Sequence, residues 1–285
     1  MSYLSLIKKV VPNRIKRDIE QLLIDFAASH APKIGFTRPY IKRKCVEGVS
    51  FDFYIGDEDG MVWYDTTCTD PFWPEMRIIR DHLIGHGDVV FDVGAHQGCT
   101  AILFSNWTGP NGKVVAIEPN PKNVSIIKTN IAMNHLNNVE ILNVAAGEES
   151  GRLNLATESS NSHLTMEGEA MSIPVDVIAL DSLLEMRPSF IKLDVEGADV
   201  LALRGARNIL KTYPKLAIEV HKDGLVNFST SLDELLSLID FDAYDCWIQW
   251  NYEPDIGKWQ YGSHEDLLAD GKKMVHGTHI FAKPK

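Results

Sequence analysis

The chain predicts a doubly wound, Rossmann-like α/β fold on a seven-stranded, mostly parallel sheet, preceded by an N-terminal helix and β-hairpin extension. Two observations carry this. From Asp88 onward, short apolar runs of strand length alternate with stretches of helix length, the order that right-handed βαβ crossovers produce. The first of these runs, Val89 to Val93, turns sharply through glycine in Asp92 to Gly98 (DVGAHQG), and a helical pattern follows directly. Parallel sheets place their ligands at such strand ends.

Taken in order, the elements begin with Ile15, Ile19, Leu22, Leu23 and Phe26, which recur at helical spacing after Pro12 and make an amphipathic helix with a basic start. Docking of this helix on the body is the expected reading; peripheral contact with an anionic membrane is its alternative. Lys42, Arg43 and Lys44 read as a solvated face. Residues 49 to 65 hold two β-rich runs around Gly56 to Gly60 and predict a hairpin. A helix over Pro71 to Ile84 then leads into the sheet. Residues 1–85 are thus an extension and residues 86–285 the main domain.

In the main domain the expected strands are Val89 to Val93, Lys113 to Ile117, Val139 to Val144, Phe190 to Val195, Lys215 to Val220, Asp245 to Trp250 and His276 to Lys283. Helices are expected over Cys99 to Trp107, Pro121 to His135, Ala198 to Thr212 and Ser231 to Ile239, with a β-like interruption at Gly151 to Leu180. Trp247, Trp250, Tyr252, Trp259 and Tyr261 are expected mainly as core, and the long connection Asn251 to Lys273 as a substrate-facing loop.

Composition narrows the function. At 285 residues and 45% hydrophobic content the chain can bury a large core. The net charge of −11 conceals an asymmetry: residues 1–44 carry ten Lys/Arg against three Asp/Glu, leaving −18 on the rest. An acidic body disfavours a phosphate backbone, so no nucleic-acid partner is expected. Cys45, Cys68, Cys99 and Cys246 are scattered singly, which suggests neither disulfides nor a zinc site and points to a reducing cytoplasm. No run approaches the roughly 18 to 20 apolar residues of a membrane span, so a soluble protein is expected.

The glycine turn suits a partly anionic ligand, because the helix behind it can start close to the strand with backbone N–H groups facing outward. Glu118 ends the second strand twenty residues after Gly98, where such folds set an acid against ribose hydroxyls. The spacing Gly94, Ala95, His96, Gln97, Gly98 is not the dinucleotide G-x-G-x-x-G. A smaller ligand with one ribose and one carboxylate fits better, and S-adenosylmethionine has that outline.

Three further motifs extend the pattern: AIEPN, FIKLDVEGAD over Phe190 to Asp199, and AIEVH over Ala217 to His221. Together with DVGAHQG these resemble the FkbM-like family of S-adenosylmethionine-dependent methyltransferases, over about 134 residues from Asp88 to His221. The resemblance implies a class I methyltransferase fold with an antiparallel last strand, and methyl transfer, usually to a hydroxyl oxygen of a sugar, lipid or natural product. It also implies that Asp92, Gly94, Ala95 and Gly98 line the methionine end of the cofactor, that Glu118 meets the ribose, and that Asn143 to Ala145 approach the adenine. Where the family commonly has Asn and then a small or apolar residue, this chain has His96 and Gln97. Backbone N–H donors survive that change, so His96 is counted with the cofactor loop.

An alcohol must lose its proton as it is methylated, and Asp194, Glu196, Glu219 and His221 stand at the fourth and fifth strand ends. Of these, His221 is the first choice of base, with Asp194 and Glu196 beside it; the structural alternative pairs Lys192 with Asp194 and lets Glu196 cap the following helix. No dedicated metal motif is present, and none is expected to bind. Transfer to nitrogen or carbon, a non-catalytic cofactor-binding protein and, further off, an NAD-dependent oxidoreductase are the alternatives.

Overall fold

The first hairpin lies one strand earlier than the sequence suggests. In a computed structural model that describes residues 35–65, 68, 73–156, 163–165, 172–250, 257–259, 265, 269, 271, 274 and 277–285, β1 (Tyr40–Val46) pairs antiparallel with β2 (Val49–Ile55). The second expected β run is instead a helix, α1 (Glu58–Tyr64). Asp57 decides this: its carboxylate accepts from Gly60 N at 2.8 Å, and Glu58 and Asp59 add negative charge to the first turn. Phe51, Phe53 and Ile55 bury one face of β2. Lys42 and Arg43 are exposed and face Asp65 at 2.7 Å and Asp52 at 3.0 Å. Lys44, however, is 2% exposed and donates to the Tyr64 carbonyl, so the basic run is not one solvated face.

The helix expected to start at Pro71 is described from Pro74, as α2 (Pro74–Ile78), and continues into a π-turn, Ile79–Leu83. The basic helix expected after Pro12 lies outside the described residues, as do His276 and most of 251–273. Residues 38–285 cluster as one unit and residues 1–37 as another. Among the described residues no helix is long and apolar enough to cross a membrane.

The alternation then runs β3 (Val89–Val93), α3 (Cys99–Thr108), β4 (Lys113–Ile117), α4 (Pro121–Met133) and β5 (Val139–Leu142). The interruption is a second small sheet of β6 (Ala145–Ala146), β7 (Gly151–Ala156), β8 (His163–Thr165) and β9 (Ser172–Ile178). β10 (Phe190–Leu193) returns to the main sheet, followed by α5 (Asp199–Arg204), α6 (Arg207–Leu210), β11 (Lys215–His221), α7 (Lys222–Asn227), α8 (Leu232–Ser237), β12 (Tyr244–Trp250), β13 (Gly257–Trp259) and β14 (Gly277–Pro284). Ser231 caps α8 by accepting from Glu234 N. The helix expected over 198–212 is broken at Gly205, where Asp181 accepts from the N–H groups of Asn208 and Ile209 at 2.9 to 3.0 Å and starts α6 afresh.

The main sheet has the order β5-β4-β3-β10-β11-β14-β12-β13. β5, β4, β3, β10 and β11 are parallel, and β14 runs antiparallel between β11 and β12. The expected seven strands are therefore present, and the three-residue β13 adds an eighth at the edge. Phe91, Phe104 and Phe190 are fully buried between sheet and helices, with Phe104 and Phe190 edge to face at 5.6 Å. Burying each such side chain contributes roughly 1.5–3 kcal/mol. Trp247 is buried too, stacked on His82 at 4.9 Å.

Candidate active site

β3 and β10 lie side by side, yet the chain leaves β3 for β4 on one flank and β10 for β11 on the other. A crevice opens where the order reverses. Here it is a cavity of about 370 Å³, lined by Gly94, His96, Glu118, Ala145, Lys192, Asp194, Glu196, Glu219, His221 and His279 among others. That is within the range of small-ligand pockets.

Gly94 sets the floor. Its φ is +78°, and a Cβ there would lie 1.7 Å from the Asp194 carbonyl oxygen, so only glycine lets the β3 and β10 loops close on each other. Asp92 is fully buried behind it and accepts from Thr100 Oγ1 at 2.7 Å. Burial raises its pKa against the pull of Lys192, whose Nζ is 3.8 Å away. Lys192 Nζ also donates to Asp194 Oδ2 at 3.0 Å and to the Gly94 carbonyl at 3.3 Å. Although burial works against its charge, Asp194, Asp92 and Glu219 keep Lys192 firmly protonated.

The loop amides are turned inward rather than outward. Gly94 N and Ala95 N both donate to the Ile117 carbonyl, Gly98 N to Ala95 O, and His96 N to Glu118 Oε2 at 2.9 Å. Glu118, 4% exposed, also accepts from Asn120 N at 3.0 Å and Asn123 Nδ2 at 3.2 Å. Burial outweighs these donors and pushes its pKa up to about 7. These three contacts use three of the roughly four acceptor directions of a carboxylate, which leaves one for a hydroxyl of a diol. Asn143 sits behind Glu118, its amide donating to the carbonyls of Glu118 and Pro119 at 2.9 and 2.8 Å, while Ala145 and Val144 form the cavity wall. Asp92, Ala95, Gly98 and Asn143 thus support the cavity without lining it; Gly94, His96, Glu118 and Ala145 line it.

His96 and Gln97 tie the N-terminal elements to this loop. His96 Nδ1 shares a hydrogen bond with Tyr64 Oη at 2.7 Å, and burial lowers the imidazole pKa to about 4, so the ring is neutral. Gln97, fully buried, donates from Nε2 to Asp57 Oδ1 at 2.8 Å, and Lys122 Nζ lies 2.7 Å from the other Asp57 oxygen. The carboxylate that caps α1 is therefore also the anchor holding α1, with Trp63 and Tyr64, over the cavity.

At the far side a ladder of carboxylates and imidazoles crosses three strand ends. Glu196 stands beyond β10 at φ +52°, before Gly197 at +98°. A Cβ on Gly197 would meet the Gly224 backbone at 2.3 Å, so glycine lets the loop press on α7 and brings Glu196 to His221. His221 Nε2 lies 3.6 Å from Glu196 Oε2 and 3.5 Å from Glu219 Oε1, and His279 Nε2 lies 3.1 Å from Glu219 Oε2. Burial pushes the Glu196 pKa up to about 7. His221 loses some basicity to burial but gains more from Glu196, Asp194 and Glu219, so its pKa is raised. Glu219 resists burial because His279 and His221 hold it ionised, well below the usual carboxylate range.

The structure thus brings Asp194, Glu196 and His221 to one wall. Lys192 pairs with Asp194, whereas no side chain caps the helix after Ala198, so Glu196 faces His221 instead. Sequence reasoning missed His279, Glu75 and Tyr64, all lining the same cavity. The signal for His279 is its register opposite Glu219 and Gln249, visible only once β14 is paired on both sides. Asp194, Glu219 and His221 also offer ligand atoms within 4.8 Å of one another. Lys192 and His279 already balance that charge at 3.0 and 3.1 Å.

A doubly wound sheet whose last strand in the chain, β14, inserts antiparallel between β11 and β12, with a glycine turn at the switch point and an acid at the end of the next strand, defines the class I, Rossmann-like methyltransferase fold. The chain belongs to the methyltransferase FkbM family, whose domain matches residues 92–246, and its cofactor is S-adenosylmethionine. The residues fit that group: an acid with one acceptor direction left for a ribose hydroxyl, a side-chain-free floor at Gly94, and an acidic wall for a sulfonium. The chain is 26% identical over 141 residues to protein-L-isoaspartate O-methyltransferase of Caenorhabditis elegans, covering 48% of this chain and 62% of that protein, which is less than two thirds of its length. It is 24% identical over 227 residues to hexuronic acid methyltransferase AglP of Haloferax volcanii, covering 76% and 84%. A crystal structure of methyltransferase FkbM from Methylobacillus flagellatus KT is similar at 21% identity and TM-score 0.43, over 68% of this chain and 43% of that one.

Proposed function

We propose that the protein transfers a methyl group to a hydroxyl oxygen of a sugar, lipid or natural-product acceptor. The observation that carries this reading is the pairing of Glu196 with His221 across 3.6 Å in the cavity that Gly94 and Glu118 also line. S-adenosylmethionine supplies, when bound, a methyl group on a positively charged sulfur. With the cofactor held at Gly94 and Glu118, Glu196 would accept the proton that the acceptor hydroxyl loses on methylation. A carboxyl group with a pKa of about 7 is matched to that task, because it is partly ionised near neutral pH and its carboxylate is more basic than an ordinary one. The imidazole of His221, more easily protonated than usual, orients Glu196 and offsets the charge of Glu219. Asp194 and Lys192 hold the β10 end against the Gly94 loop, and alignment supplies the rest of the rate.

The name of the Haloferax relative, a hexuronic acid methyltransferase, supports a sugar ring as acceptor, and at 24% identity it carries no argument for the charge of that ring. The acidic body supports a small-molecule, glycan or lipid acceptor over nucleic acid, and the basic residues of 1–44 keep peripheral membrane contact as a proposed accessory role. A cytoplasmic location is the natural one for four cysteines scattered singly along the sequence with no C-x-x-C spacing. The deciding experiment incubates the protein with labelled S-adenosylmethionine and a panel of alcohol, amine and activated-carbon acceptors and locates the methyl in the product. Methyl on oxygen, lost in Glu196→Gln, is expected; methyl on nitrogen or carbon overturns the reading.

A further inference from the structure

The charge and shape of the acceptor side of the cavity select among hydroxyl acceptors. Glu75, Asp194, Glu196 and Glu219 line it, and its cations are already engaged: Lys192 with Asp194 at 3.0 Å, His279 with Glu219 at 3.1 Å, and His221 between Glu196 and Glu219 at 3.6 and 3.5 Å. Among the described residues no arginine lines the cavity. Recognition of a carboxylate or phosphate normally uses arginine's fork of donors or a lysine not already paired. An anionic acceptor would instead meet carboxylates in a buried, weakly screened space, and each such contact opposes binding.

Aromatic surface adds shape. Trp63, 41% exposed, and Trp73 and Phe281 line the same cavity. A pyranose ring lays its C–H face on such surfaces while its hydroxyls reach acceptor oxygens at the edge. We propose that the acceptor is a hydroxylated sugar ring bearing no anionic group, and that a protonated amine on the ring strengthens its binding. This rests on the methyl-transfer reading above and adds the acceptor's charge to it. Glu75, in the first turn of α2, is the carboxylate best placed to tune that preference without serving the transfer itself.

The test uses the full chain saturated with S-adenosylhomocysteine and three matched probes: methyl β-D-glucosaminide, methyl β-D-glucoside and methyl β-D-glucuronide. Calorimetry or ligand-observed NMR gives their affinities, and a parallel reaction with labelled S-adenosylmethionine gives transfer. The expected order is amine, neutral, acid, with about tenfold or more between first and last. Glu75→Gln is expected to shrink that ratio severalfold, and Glu75→Asp, which keeps the charge, to retain it. Tightest binding of the glucuronide, or no binding of any probe by a protein that still binds S-adenosylhomocysteine, overturns the inference. If the order holds in binding and no probe is methylated, selectivity stands and the transfer reading falls. If the glucuronide is methylated fastest, transfer stands and the selectivity falls.

Discussion

His279 Nε2 stands 3.1 Å from Glu219 Oε2, and the two are cross-strand partners where β14 pairs antiparallel with β11. On its other side His279 Nδ1 meets Gln249 Oε1 at 2.8 Å. Both ring nitrogens thus face acceptor oxygens, an arrangement that suits an imidazolium. Burial lowers the pKa of His279, but Glu219 more than restores it and the net shift is upward. His279→Gln removes the cation that keeps Glu219 ionised. We expect kcat to fall about tenfold or more with cofactor affinity changed less than threefold, and the acid limb of the pH profile to move, read from kcat against pH and calorimetry.

The pH profile of the wild-type protein follows from Glu196. With its pKa pushed up to about 7 by burial, the carboxylate form that accepts a proton is gained as pH rises through that value. Activity is expected to climb between about pH 6 and 8 and to level above. Glu196→Gln should lower kcat by about 10²- to 10⁴-fold and flatten the climb. A climb of the same midpoint in Glu196→Gln would assign it to another group.

Glu118 gives a prediction on binding alone. Hydrogen bonds from ribose hydroxyls to a buried carboxylate contribute about 1.5–3 kcal/mol, so Glu118→Gln should weaken S-adenosylmethionine binding about 10- to 100-fold. Because burial places the Glu118 pKa near 7, affinity in the wild type should rise as pH passes from 6 to 8. Calorimetry at several pH values separates the two effects.

Asp199 is fully buried at the start of α5, and neither carboxylate oxygen has a hydrogen-bond partner among the described residues. Burial raises its pKa to about 7, against an unfolded value of about 4. A group whose folded pKa is raised contributes stability that is full below the unfolded value and lost as pH rises through the folded one. The wild-type melting temperature should therefore fall as pH rises from about 4 to 7 and level off above, and Asp199→Asn should reduce that fall by several degrees in thermal denaturation.

The balance of charge around Asp194, Glu219 and His221 predicts metal-independent turnover. EDTA should leave the rate unchanged, and added Mg²⁺ or Mn²⁺ should not raise it. A rate abolished by chelation and restored by one ion would reassign the three residues as ligands.

Much of this architecture is legible in the sequence because it is local. The β3 turn, the acid after β4 and the strand-length apolar runs each depend on neighbours a few residues away. What the sequence hides depends on distant partners. Residues 58–64 read as β-rich, yet Asp57 and Gln97, forty positions apart, make them a helix. α7 has a single buried residue, Leu225, and a glycine in its six residues, so no periodicity announces it; it exists because Gly224 packs on Gly197. His279 joins the site only through strand register. The loop amides expected to face an anion are consumed by Ile117, Ala95 and Glu118, a choice that the glycine spacing does not reveal.

The Asp57, Gln97 and Lys122 contact has a consequence for descent. A lineage that exchanges Gln97 for a small residue loses the donor to the α1 cap and leaves Asp57 with Lys122 alone. Drift at these three positions is therefore expected to be correlated, with Tyr64 and His96 changing as a second linked pair. Family members that keep Asn and a small residue in the loop should carry a differently built cover over the same sheet. Sequence covariation across the family would then separate its members by how the crevice is roofed rather than by the cofactor they share.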